Sequence, residues 1–233
     1  QTQAVGKWMK THLGAHQQLL LPNPVQWPLT RFRPSLDPHA WLFSRGCTST
    51  DPVLLAVGTK ADQKGFDRLV RWWIPLAQAD ARLQLVIVGL DERLYHGRDQ
   101  QADLRALLVD QPELQERLHF PGRVGNLADW YARTQLFVLS SRYEGFPNVL
   151  LEAMAAGRPS LAFDQIRSGM GWVGRLSGLP WSHSPEGLPE VLQRLGDQPQ
   201  LRRHLSHQAR ERYLRLFARS VWLRQLQKLG ELT

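Results

Sequence analysis

Residues 136–163 read LFVLSSRYEGFPNVLLEAMAAGRPSLAF. The run LFVLSS (136–141) is apolar until its last two residues, and SLAF (160–163) is a second apolar run of strand length. Between them, Pro147 suits the first turn of a helix, where its missing N–H costs nothing. Gly157 followed by Pro159 makes a helix stop. The stretch therefore predicts strand, loop, helix over 147–156, then strand. Continuous apolar strands joined through a helix are the mark of a parallel sheet buried on both faces.

The same alternation extends through the chain. PVLLAVG (52–58) and LQLVIVG (83–89) are apolar runs ending in glycine, and LHF (118–120) is a shorter one. Helical patterns fall at about 66–79, 99–110 and 127–133. The expected fold is α/β, a Rossmann-like doubly wound parallel sheet. Residues 46–200 are read as that domain. Residues 1–45 include LLLPNPVQWPLTRFRPSLDP, whose prolines exclude a long helix and predict a linker. After about 185 the pattern is helical, closing in a basic helical extension over 201–233.

Composition narrows the function classes. With 233 residues and 42% hydrophobic content the chain can bury one substantial core. No apolar run approaches the ~18 residues of a membrane span, and the opening QTQAVGKWMKTHLG has no signal-peptide core. Gln1 in place of an initiator methionine suggests a fragment or a processed chain. Cys47 is the sole cysteine, which excludes an intrachain disulfide and a cysteine cluster for zinc, and fits a reducing compartment. The formal charge of +8 favours anionic partners, whether phosphate ligands, anionic membrane surfaces or nucleic acid. No nucleic-acid-binding motif accompanies it, and the absence of G-x-G-x-x-G disfavours a nicotinamide cofactor. His204 and His207 stand three apart with no evident carboxylate or cysteine, a pattern of an exposed helix face rather than a metal site.

The loop and helix at 140–152 carry the chemistry. A strand ending at 141 delivers the loop to the carboxyl edge of the sheet, where α/β ligand sites gather. The amides and dipole of the helix that follows favour an anion such as phosphate. Glu152 is the sixth residue of the predicted helix, about 7–8 Å from its start, on one face with Asn148. A carboxylate there needs a spacer from a diphosphate, and a ribose diol provides one that can donate two hydrogen bonds to it. Glu144 precedes the helix, where a sugar hydroxyl is a fitting partner. Taken singly, either glutamate could be a solvated surface residue. The apolar neighbours Leu151 and Ala153 argue against that for Glu152.

SRYEGFPNVLLEAMAAGRP resembles the Glu-x7-Glu signature of retaining group-1 glycosyltransferases of the GT-B fold. VGTKADQKGFDRLV, LQLVIVG and HFPGRV follow the family's order, and PNPVQWPLTRF resembles its interdomain linker. The resemblance covers roughly residues 15–230 and is most specific over 52–164. It implies one half of a GT-B fold, the half that binds a nucleotide-diphosphate sugar, with residues 1–45 a remnant of the first domain and the proline-rich linker, and with no separate cofactor and no metal. Lys64 and Glu144 are the implied catalytic residues, Lys64 stabilising charge on the departing phosphate. Thr59, Lys60, Lys64, Glu144, Gly145, Phe146, Pro147, Asn148, Val149 and Glu152 are the implied donor-binding set, with Arg123 and Val124 beside the base. The acceptor would be a glycan, lipid or small molecule. The implied setting is cytoplasmic, with peripheral contact at the inner membrane face through the basic terminal helix, or with that helix crossing onto the missing domain.

Two positions depart from the family pattern. Thr59 stands where an arginine is usual, and Trp172 stands where the phosphate-covering loop usually carries an acid. A second reading therefore stays open, that of a non-catalytic nucleotide-sugar or glycan-binding module. Most of the nine tryptophans, Trp72, Trp73, Trp130 and Trp222 among them, are expected in core or interface positions rather than stacked on sugar.

Overall fold

The computed structural model describes residues 36–90, 95–162 and 188–230. Helix α1 (Pro38–Phe43) precedes β1 (Val53–Val57). A short α2 (Ala61–Lys64) and a longer α3 (Phe66–Ala79) lead to β2 (Gln84–Val88). Then come α4 (Gln100–Ala106), α5 (Pro112–Gln115) and β3 (Leu118–Gly122). Helix α6 (Leu127–Arg133), β4 (Leu136–Leu139), α7 (Asn148–Ala155) and β5 (Ser160–Ala162) complete the sheet region. Helices α8 (Leu188–Asp197), α9 (Pro199–Leu216) and α10 (Arg219–Gly230) follow.

The strands form one parallel sheet in the order β3-β2-β1-β4-β5. Because side chains alternate along a strand, the apolar runs feed two cores. Val53, Leu55, Val57, Val86, Val88, Phe137 and Leu139 face α1, α6 and α7. Leu54, Ala56, Leu85, Ile87, Leu136 and Val138 face α3, α4 and α5. Both faces are covered, which is why every residue of β1 and β2 is buried. The expected doubly wound α/β fold is the observed one.

Element ends differ from expectation where local turns intervene. Helix α4 stops at Ala106 rather than 110, because the Leu107 and Leu108 amides turn back to the Leu104 and Arg105 carbonyls in tighter turns. That rotation drops Leu108 fully into the core and leaves Val109 outside. The terminal basic stretch is two helices, broken at Phe217, whose ring is buried in the core at 2% exposure with φ −128° and ψ −4°. Helix α3 keeps Pro75 inside it. The carbonyl this leaves without an N–H belongs to Arg71, and both residues lie on the exposed face, where water can serve it. The short helices α1, α2 and α5 have no periodicity to announce them. The N-terminal linker and Trp172 lie outside the described residues, as do the last residues of the terminal extension.

Trp73 and Trp130 are core residues at 0% and 1% exposure. Among the described residues, no helix is long and apolar enough to cross a membrane, and no three metal-ligating side chains come together. His204 and His207 are exposed. Contrary to expectation His207 has a carboxylate beside it, Glu211 at 3.5 Å one turn on.

Candidate functional site

The chain builds β1, β2 and β3 outward in one direction, then returns to place β4 on the other side of β1. The crevice between the carboxyl ends of β1 and β4 is thus the topological switch point. The loops after β1 and β4 meet there.

Gly65 makes the first loop possible. Its φ of 63° and ψ of 36° end α2 and start α3 in one residue, and a Cβ on it would run into the Ser140 carbonyl oxygen. Only glycine meets both demands cheaply. Gly58 matters for space rather than for backbone angle. A Cβ there would fall 2.6 Å from Lys64 Cγ, so the bare backbone leaves a track along which the Lys64 side chain runs. At its end Lys64 Nζ donates to Glu144 Oε1 at 2.6 Å, and Ser141 Oγ donates to the same oxygen at 2.5 Å. Glu144 is 6% exposed and Lys64 16%.

The two loops are laced together further. Ser140 Oγ donates to the Lys64 carbonyl at 2.8 Å, and the Arg142 amide donates to the Gln63 carbonyl at 2.9 Å. Arg68 Nη2 donates to the Ser140 and Ser141 carbonyls at 2.7 and 3.2 Å. Arg142 grips Asp67 with two hydrogen bonds of 2.7 and 2.6 Å. Burial alone would raise the Asp67 carboxyl, yet the paired Arg142 guanidinium holds it below the ordinary carboxylate value. Arg142 in turn is raised by that hydrogen bond.

Helix α7 carries the second glutamate. Pro147 is not its first residue but its N-cap, with φ −82° and ψ 74°. Those angles, and the Asn148 amide donating to the Phe146 carbonyl at 3.0 Å, make Pro147 the centre of an inverse γ-turn. Glu152 is consequently the fifth helical residue rather than the sixth, about 6 Å from the start. The expected row of open N-terminal amides is also thinned. Asn148 donates within the turn, and Leu150 and Leu151 both donate to the Pro147 carbonyl. Among the described residues, Val149 is left as the first-turn amide without a partner.

Glu152 is 6% exposed among apolar neighbours. The fully buried Tyr131 on α6 brings its Oη within 3.3 Å of Glu152 Oε2 while donating to the Val149 carbonyl at 3.0 Å. At the other end of α7, Arg210 on α9 donates to the Ala155 carbonyl at 2.7 Å, placing a cation on the negative end of the helix dipole.

Thr59 and Lys60 are exposed in the β1 loop. Gln100 holds that loop, accepting from the Ala61 amide at 2.7 Å and donating to the Thr59 carbonyl at 3.2 Å. Lys60 does not join Lys64; its ammonium lies over the Tyr95 ring, 5.9 Å from the centroid. Gly145 and Asn148 are exposed, Phe146 and Val149 half-buried. Arg123 and Val124 follow β3, two strands from β1 on the same carboxyl edge; Arg123 is exposed and Val124 packs into the core. The fold thus joins Lys64 to Glu144 directly and sets the remaining candidates on one edge. Ser141, Arg68, Arg142, Gln100 and Tyr131 escaped sequence reading, since a lone serine, glutamine or tyrosine carries no spacing signal.

Residues 51–177 match the family described as Glycosyl transferases group 1. The chain belongs to the group 1 glycosyltransferases. It is 34% identical over 147 residues to the mannosylfructose-phosphate synthase of Agrobacterium fabrum, a match covering 59% of this chain and 31% of that protein. Its structure superposes on the sucrose-phosphate synthase of Thermosynechococcus elongatus with a TM-score of 0.74 at 27% identity, covering 99% of this chain and 56% of that one. The Anabaena protein HepE, solved with UDP and glucose, shares the fold with a TM-score of 0.72 at 18% identity, over 99% of this chain and 61% of that one. This group 1 chain therefore spans about a third of the curated relative's length and just over half of the solved ones.

Proposed function

We propose that this chain forms the donor-binding half of a retaining glycosyltransferase, taking a nucleotide-diphosphate sugar and presenting its anomeric carbon to an acceptor. The observation that carries the reading is the pairing of half-buried Lys64 with buried Glu144 at the switch point between β1 and β4. A lysine and a glutamate held at 2.6 Å in a crevice offer one charge to a phosphate and the other to sugar hydroxyls. As the bond from sugar to phosphate breaks, electrons collect on the leaving phosphate, and a fixed ammonium stabilises that charge more than the ground state. No protein metal is needed in this scheme. Glu152 takes the ribose diol, and the Val149 amide and the dipole of α7 take phosphate. The donor's own phosphate oxygen would receive the acceptor proton.

Calorimetric titration of UDP-, GDP- and ADP-sugars against this chain tests the reading. Binding of at least one, lost in Lys64→Ala and weakened in Glu152→Gln, is the expected result; no binding of any of them rejects it. A second reading, sugar-nucleotide binding without transfer, draws on Thr59 in place of the family's arginine and on Lys60 turned towards Tyr95. Transfer assays on this chain with an acceptor-binding domain supplied separate the two.

A further inference from the structure

A pocket of about 680 Å³ opens against β3, the edge strand of the sheet, away from the β1–β4 crevice. None of its lining residues belongs to the donor set. Its walls are Trp41 and Arg45 on one side, and Gln101, Arg105 and Gln115 on the other. The Leu85 amide donates to the Arg117 carbonyl, so Leu118 turns its own backbone groups towards the outer edge. Among the described residues, no strand pairs there.

The two arginines are held in place without being neutralised. The Arg45 guanidinium carbon sits over the Trp41 ring, 3.5 Å from its centroid, and Nη1 donates to the Trp41 carbonyl at 3.1 Å and to Ser44 Oγ at 3.0 Å. Arg105 Nη1 donates to the Gln115 carbonyl at 3.0 Å, its guanidinium 5.0 Å from the Phe120 ring centre. Among the described residues, neither makes an ion pair. Both guanidiniums keep N–H groups beyond those bonds, and pinned donors lose little freedom on binding. Their field reaches His119 on the floor: burial first, then Arg45 and Arg105, lower its pKa from 6.5 to about 4, so it adds no charge. Glu116 at the exposed rim offsets one cation of the two.

The glutamines supply the opposite polarity. Gln101 Nε2 donates to the Leu90 carbonyl at 3.0 Å and Gln115 Nε2 to the Leu108 carbonyl at 3.1 Å. Their amide oxygens, which have no hydrogen-bond partner among the described residues, are left as acceptors. A simple anion would use only the arginines, and a neutral sugar only the glutamines. We propose that this pocket is a second binding site, for a saccharide carrying a phosphate or a carboxylate, with Arg45 and Arg105 on the anion and Gln101 and Gln115 accepting from hydroxyls.

The proposal stands independently of the donor reading. Glucose 6-phosphate, glucuronate, glucose and inorganic phosphate are each titrated into the whole chain at neutral pH, with NMR following the Trp41 indole and the Gln101 and Gln115 side-chain amides. Expected is binding of glucose 6-phosphate or glucuronate ahead of both glucose and phosphate, with shifts at those groups; which anionic sugar binds identifies the source of the charge. Arg105→Gln and, on an exposed turn, Arg45→Gln should each weaken it about tenfold or more. Equal binding of inorganic phosphate, shifts centred on residues 141–152, wild-type affinity in Arg45→Gln, or no binding of either sugar acid would each overturn it.

Discussion

A single carboxylate oxygen, Glu144 Oε1, receives both the Lys64 ammonium and the Ser141 hydroxyl. Ser141 is fully buried, so its hydroxyl has no water to turn to and fixes the carboxylate in one orientation. Ser141→Ala should reduce donor-sugar affinity about tenfold or more with little change in fold, since a hydrogen bond to a charged group contributes about 1.5–3 kcal/mol; calorimetry beside circular dichroism reads both. The buried His119 makes a second residue-scale prediction. Its Nε2 hydrogen goes to Gln84 Oε1 at 2.9 Å, and its pKa falls from 6.5 to about 4. The folded state thus binds this proton less readily than the unfolded chain. The stability tied to neutral His119 is complete above pH 6.5 and is lost as pH falls through about 4, up to about 3 kcal/mol. Urea midpoints between these limits should drop with acid, and less steeply in His119→Gln. Cys47, 4% exposed and raised in pKa by burial and then by Asp51, should react with a thiol reagent only on unfolding.

At the scale of elements, the crevice depends on how α2, α3 and α7 are terminated. Gly65→Ala would force a Cβ into left-handed backbone and against the Ser140 carbonyl, a cost of about 1–3 kcal/mol or more. Thermal melts should show that loss, and donor affinity should fall with it because Lys64 is the preceding residue. Arg210→Ala removes the cation from the carboxyl end of α7, an expected loss of about 1 kcal/mol read by denaturant midpoint, with the Lys64–Glu144 pair left in place. Helix α7 also shows where sequence reading slipped. Proline at the start of an apolar run predicts the first helical position, but the inverse γ-turn at Pro147 depends on the preceding Phe146 carbonyl and is not encoded in spacing. Strands were legible because a strand buried on both faces must be apolar throughout, as VLLAV and QLVIV nearly are. The short α1, α2 and α5 were not, because one turn of helix has no period to detect.

For the whole molecule, strand order decides the chemistry. Lys64 and Glu144, 80 positions apart, meet in one hydrogen bond only because β4 returns to lie against β1. The donor-half proposal expects this chain to bind labelled donor sugar and to transfer it only when an acceptor-binding domain is supplied, a difference that radiolabelled donor and chromatographic product analysis would register. From the sequence by itself came the α/β class, the five apolar strands, and a pair of glutamates around a Gly-Phe-Pro-Asn turn; those follow from periodicity and from the cost of a charge in an apolar run. Only the tertiary structure decided that Ser141 and Lys64 converge on Glu144, that Tyr131 reaches Glu152, and that Arg45 and Arg105 face one pocket beside β3. Such contacts join residues far apart in the chain, and no local pattern records which strand will lie beside which.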